Sequence, residues 1–190
     1  ALQTGSCFQP FTWRGNMTVR LGIVMDPIEK IHFKKDSSLA MLLAAQKRGW
    51  EIEYMELPDL YLKGGQARAR TRDLTVHLDP QDWFGFGGAQ DRALGDLDVI
   101  LMRQDPPVDR EFLMATFILE IAEQQGALVV NPASTLRDCN EKLFAAQFAD
   151  CPPPLIVTRS AARLTASYAH PGDVIMKPLH GMGARSLLRA

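Results

Sequence analysis

The apolar positions of this chain change period several times, and each change marks an element. In VRLGIVMDP (19–27) five apolar residues stand almost unbroken before an Asp-Pro pair. A run this short and apolar predicts a buried strand ended by a turn. SSLAMLLAAQKRGW (37–50) switches to helical spacing, with Leu39, Leu42 and Leu43 on one face. Ser37 or Ser38 can cap this helix, and Gly49 stops it. EIEYMEL (51–57) alternates and predicts a second strand. YLKGGQARARTRDLTVHL (61–78) predicts two exposed strands around Gly64–Gly65.

WFGFGGAQDRALGDLD (83–98) is expected to be a loop. Its GFGG lacks the buried strand before it and the helix after it that a nucleotide-binding glycine turn requires. Beyond it, LDVILMR (97–103) is a strong buried strand that runs into the polar cluster RQDPPVDRE. EFLMATFILEIAEQQG (111–126) follows as a helix closed by Gly126, and ALVVN (127–131) as another strand. PASTLRDCNEKLFAAQFAD (132–150) is expected to begin a helix near Leu136. Strands alternating with helices imply an α/β fold with a mostly parallel sheet and helices on both faces. Ligands of such sheets sit beyond the carboxyl ends of the strands, here Asp26, Arg103 with Asp105, and Asn131.

After CPPP (151–154) the texture changes. LIVTRS (155–160) is expected as a strand, AARLTASYA (161–169) as a helix and DVIMKPL (173–179) as a strand. A second unit starting near Asn131 is thin for an independent core. The division expected is 1–16 as a leader or appended segment, 17–130 as a substrate-side domain and 131–190 as a partial second domain. ALQTGSCFQPFTWRGN has no positive start followed by an apolar stretch, so it is not a secretory signal, and Met17 is the expected natural start.

Composition narrows the picture. The chain has 190 residues, 46% hydrophobic and 23% charged, with a net charge of -1. That balance gives no basic field for nucleic acid. No apolar run approaches the roughly 18 residues of a membrane span. From Cys139 onward there are six Lys/Arg against three Asp/Glu, a basic lean that suits a phosphate ligand. Cys7, Cys139 and Cys151 show no CxxC spacing, so a reducing cytoplasm is the expected home. The four histidines are scattered without HExxH spacing, and no Ser-His-Asp or Cys-His set stands out. No catalytic side chain is assigned.

The chemistry-bearing stretch is IMKPLHGMGARS (175–186). Lys177 leaves a strand, and Gly181 and Gly183 permit the backbone to turn consecutive N–H groups toward one anion. A lysine adds a point charge that reaches the same phosphate. This is not the Walker pattern, since GxxxxGK[ST] is absent. Lys142 in DCNEKLF is a second candidate, ordinary on a helix surface and notable only when paired with Lys177. On the other side stand Asp26, Ser37, Ser38, Arg103 and Asp105. A serine at a helix start either caps it or binds a carboxylate with the end amides. Arg103 either pairs with Asp105 to stiffen a turn or forks onto a substrate carboxylate.

LGIVMDP, KKDSSLAMLLAAQKRGW, DLDVILMRQDPP, LRDCNEKLFAAQF and IMKPLHGMGARS, in this order, resemble the bacterial-type glutathione synthetase family of ATP-grasp ligases. The resemblance runs from Met17 to the end. It implies a pre-ATP-grasp domain followed by the first part of an ATP-grasp domain. It implies ATP held by Lys142, Lys177, Gly181, Gly183 and Ser186. Its substrates are γ-glutamylcysteine and glycine, joined through an acyl phosphate in a cytoplasmic homo-oligomer. Mg2+ is expected, with its ligands beyond Ala190, and so these 190 residues alone are expected to be inactive. Ala184 and Arg185 stand where that loop more often has small residues. Two alternatives stay open: another ATP-grasp carboxylate–amine ligase, and a non-catalytic truncated module.

Overall fold

The computed structural model describes residues 18–140, 142–148, 150–167 and 174–179, and the backbone of 188–189. Strand β1 (Arg20–Met25) lies between β2 (Glu51–Met55) and β6 (Val99–Arg103), parallel to both. Strand β7 (Leu128–Val130) adds in parallel outside β6. On the far side the sheet turns antiparallel. The long β4 (Gln66–Val76) pairs along one edge with β2 and β3 (Leu60–Lys63), and along the other with β5 (Phe84–Ala93). The seven-stranded sheet runs β3-β4-β2-β1-β6-β7, with β5 paired to β4.

Alternation along the strands builds two cores. Leu21, Ile23, Met25, Ile52 and Tyr54 face α1 (Ser37–Lys47), where they meet Leu39, Leu42 and Ala45. Val24, Met55, Ile100 and Met102 face α2 (Arg110–Gln124), where they meet Phe112, Ala115, Leu119 and Ala122. Burying a side chain of this size contributes about 1.5–3 kcal/mol each. Gly22 belongs to the second face because a Cβ there would stand 2.7 Å from Leu97 Cδ1. Gly64 and Gly65 both take positive φ, 58° and 77°, in the two-residue turn from β3 to β4.

The predicted strands and helices up to Val130 are present with one difference, and two more differences follow beyond it. Residues 84–93 form strand β5 where a loop was expected. The glycines obscure it, but Phe84 and Phe86 pack with Tyr54 and Trp83, and β4 offers a full edge. Gly87 also has a steric reason, since a Cβ there would lie 3.0 Å from Asp73 Cβ. The helix expected near Leu136 starts earlier and is short: α3 covers Ala133–Asp138. Residues 155–160 carry no strand; Leu155, Ile156 and Val157 are exposed, with no strand paired to them among the described residues. Beyond them come α4 (Ala161–Ser167) and a two-stranded antiparallel sheet of β8 (Ile175–Met176) and β9 (Leu188–Arg189).

One buried ion pair crosses three strands. Glu53, 2% exposed, receives Arg92 Nη2 at 2.7 Å and the Thr71 hydroxyl at 2.7 Å. These bonds join β2 to β5 across β4. Removing one partner strands a buried charge, whereas replacing both leaves none. Arg92→Ala is therefore expected to lower unfolding free energy in urea by about 3–5 kcal/mol. The double variant Glu53→Met/Arg92→Met should cost less than Arg92→Ala alone.

A second set of polar contacts ties α3 to α2. Glu123 accepts from Ala133 N at 3.1 Å, and Arg137 donates to Glu120 at 2.6 Å while stacking over Phe117. Burial raises the Glu123 pKa above the ordinary glutamate value. The folded state then holds its proton to higher pH than the unfolded chain, so this group lowers stability as pH rises through the carboxylate range. Glu123→Gln keeps a carbonyl for Ala133 N and removes the titration. Its unfolding midpoint should gain on the parent protein between about pH 4 and pH 7.

Candidate functional site

The carboxyl ends of β1 and β6 lie side by side, because Met25 pairs with Arg103 at the end of the ladder. Asp26 follows β1, and Gln104 and Asp105 follow β6. The Asp26 carboxylate accepts one bond from the Gln104 side-chain amide and one from Asp105 N at 2.9 Å. It thereby fastens the two strand exits together. Sequence reasoning missed Gln104; its place between Arg103 and Asp105 was the available signal.

The start of α1 meets the same edge. Its N-cap is Asp36, whose carboxylate accepts from Leu39 N at 3.0 Å. Capping by Ser37 or Ser38 was the expectation, and the stronger acceptor one residue earlier takes that role. Both serine hydroxyls instead receive Arg103: Nε donates to Ser38 Oγ at 3.1 Å and Nη2 to Ser37 Oγ at 2.9 Å. Arg103 does not pair with the Asp105 carboxylate. All five candidates of the first domain thus stand at one edge, in two adjoining groups.

Tyr54 braces this edge from β2. Its hydroxyl donates to Glu56 at 2.8 Å and accepts from Ile28 N at 3.3 Å. Burial, then the Glu56 carboxylate, pushes the phenol pKa well above its usual value, so it stays a donor. Trp83 Nε1 donates to Ile28 O at 3.1 Å, holding the loop after β1 a second time. Beside Glu56 a shallow polar cavity of about 220 Å³ is lined by Pro58, Asp59, Arg70 and Arg72. Its Arg72 is already committed, paired with Glu56 at 3.3 Å and stacked on Phe86 at 4.0 Å.

The other candidates lie past α3. The Asn140 side chain accepts from Lys142 N at 3.0 Å and Leu143 N at 3.1 Å. This Asx turn, not a helix, presents Lys142. Lys142 Nζ then donates to Leu179 O at 3.1 Å, so one ammonium reaches the chain two residues past Lys177. Lys177 is exposed and leaves β8 at the base of the β8–β9 pair. Gly181, Gly183 and Ser186 lie outside the described residues. Lys142 thus sets one ammonium group beside the segment that carries Lys177, and two cations of this kind fit the charge of a polyphosphate.

A family model described as "Prokaryotic glutathione synthetase, N-terminal domain" matches residues 19–137. The chain belongs to the prokaryotic glutathione synthetase family. Residues 141–190 match that family's ATP-grasp domain. Proteins named glutathione synthetase from Pseudomonas syringae pv. tomato and Escherichia coli K12 are 60% and 58% identical to it. One from Yersinia pestis is 57% identical. The matches cover 90–91% of this chain and 54% of each relative, so the chain spans about half their length. The Asp26 and Arg103 groups lie within the first matched region and the two lysines within the second.

Among the described residues, no helix is long and apolar enough to cross a membrane. Nor do three His, Cys, Asp or Glu side chains gather as a metal site among them. The local weight of Asp26 is measurable. Asp26→Asn keeps one acceptor oxygen and loses the charge that strengthens both bonds. It is expected to lower unfolding free energy by about 1–3 kcal/mol in urea titrations.

Proposed function

We propose that the protein serves an ATP-dependent carboxylate–amine ligase that joins γ-glutamylcysteine to glycine, giving glutathione. The observation that carries this reading is the Lys142–Leu179 bond, which brings an ammonium group to the segment bearing Lys177. Family membership supports the substrates. Lys142 and Lys177, with Gly181, Gly183 and Ser186, hold the phosphates of ATP. Asp26, Ser37, Ser38, Arg103 and Asp105 form the dipeptide side. We further propose two domains, a substrate-side one and a nucleotide-binding one, and move the boundary from the expected 130/131 to between Asp138 and Lys142, in keeping with the matched regions 19–137 and 141–190.

ATP supplies a phosphoryl group. An oxygen of the dipeptide's cysteinyl carboxylate attacks the γ-phosphorus, and ADP leaves. The glycine nitrogen then attacks the acyl carbon, phosphate departs with its electron pair, and the amine loses a proton. No protein nucleophile is required. The chain's own residues bind, align and neutralise the anions. Magnesium accompanies the phosphates in this reading, held by groups outside the described residues.

Two further features support the remaining assignments. Cys139 and Cys151 are free thiols, in keeping with the cytoplasm. Met114 and Phe117 are 56% and 47% exposed on α2, a place for contact in a homo-oligomer.

The test uses the complete protein with ATP, γ-glutamylcysteine and glycine. ADP release should depend on glycine and should not occur with D-alanine as the sole amino acid substrate. Turnover with D-alanine and none with the dipeptide overturns the reading. Lys177→Ala should raise the Kd for ATP by about ten-fold while leaving dipeptide affinity within two-fold, as measured by calorimetry. Equal loss of both overturns the nucleotide assignment.

A further inference from the structure

We propose that Ser37 and Ser38 are positioning residues, which aim Arg103 at a carboxylate of the substrate dipeptide without neutralising it. The proposal rests on the reading above that this edge is the dipeptide side.

The case begins with what the serines do not do. Residues at a helix start normally satisfy its free N–H groups. Here Asp36 does so, and the two hydroxyls are released from that duty. Both accept from one guanidinium. Ser38 is 3% exposed, so its orientation is set by the packing around it.

The second point is charge. A guanidinium that serves only the fold is usually matched with a carboxylate, as Arg92 is with Glu53 and Arg137 with Glu120. Arg103 forms no ion pair among the described residues. The nearby Asp26 carboxylate is occupied by Gln104 and Asp105 N. Arg103 is therefore gripped only by neutral oxygens, with no carboxylate in direct contact among the described residues.

The third point is geometry. The serines take the Nε and Nη2 donors, which form the side edge of the guanidinium. The end edge, Nη1 with the second hydrogen of Nη2, has no partner among the described residues. Two parallel donors in a fixed plane match the two oxygens of one carboxylate. Holding one edge reduces the ordering cost of using the other.

The test compares Ser37→Ala/Ser38→Ala, Ser37→Thr and Arg103→Ala in the complete protein. Calorimetry measures binding of γ-glutamylcysteine and, separately, of ATP. The double alanine variant should weaken dipeptide binding by about ten-fold, with ATP binding within two-fold and an unchanged melting temperature. Ser37→Thr, which keeps an exposed hydroxyl, should bind like the parent. Arg103→Ala should weaken the dipeptide at least as much as the double variant. If Arg103→Ala weakens dipeptide binding but the double variant does not, positioning is overturned and the dipeptide side stands. If the double variant weakens both ligands equally or melts early, its role is structural and the proposal falls. A parent protein that binds no γ-glutamylcysteine overturns the functional reading and this proposal together.

Discussion

Strand β1 is covered on both faces and paired on both edges, and the rest of the structure follows from that constraint. Leu21, Ile23 and Met25 are buried toward α1, and Val24 toward α2. A strand in this position has no exposed backbone to spare, so its polar exits must meet partners at its ends. At the carboxyl end the partner is β6, and Asp26 bonds directly to Gln104 and to Asp105 N. The substrate-side candidates are neighbours because two parallel strands stop at the same level.

Charge is handled differently in the body of the sheet and at its edge. Within the sheet, Glu53 and Arg92 neutralise each other, and Thr71 donates a further bond to Glu53. At the edge, Arg103 is fixed by hydroxyls and Asp26 by amides. Pairing the two charges with each other would have cancelled both. Separate neutral anchors keep each direction defined and leave the charges expressed.

The region past α3 is built from smaller devices. Asn140 turns the chain after α3, and that turn sends Lys142 toward Leu179. The antiparallel β8–β9 pair carries Lys177 at its base. Between the two regions, Glu123 and Arg137 hold α3 to α2, so the second region departs from a fixed point on the first. The exposed Leu155–Val157 run has no strand beside it among the described residues.

By itself the sequence determined the elements whose signal is local. The apolar runs of β1 and β6, the periodic faces of α1 and α2 and the Gly64–Gly65 turn each specify their own structure, because neighbouring residues supply the periodicity. The family was legible for the same reason, in contiguous stretches such as 21–27 and 175–186. Only the tertiary structure decided what depends on a distant partner. Residues 84–93 become a strand because β4 presents an edge, although their glycines argue otherwise. Residues 155–157 have strand-forming side chains and pair with no strand among the described residues. Asp36 displaces the serines as cap, and the serines then find Arg103, 65 and 66 positions away. Long-range hydrogen bonds leave no periodic trace in a chain, so their partners appear only once the sheet has brought its strand ends together.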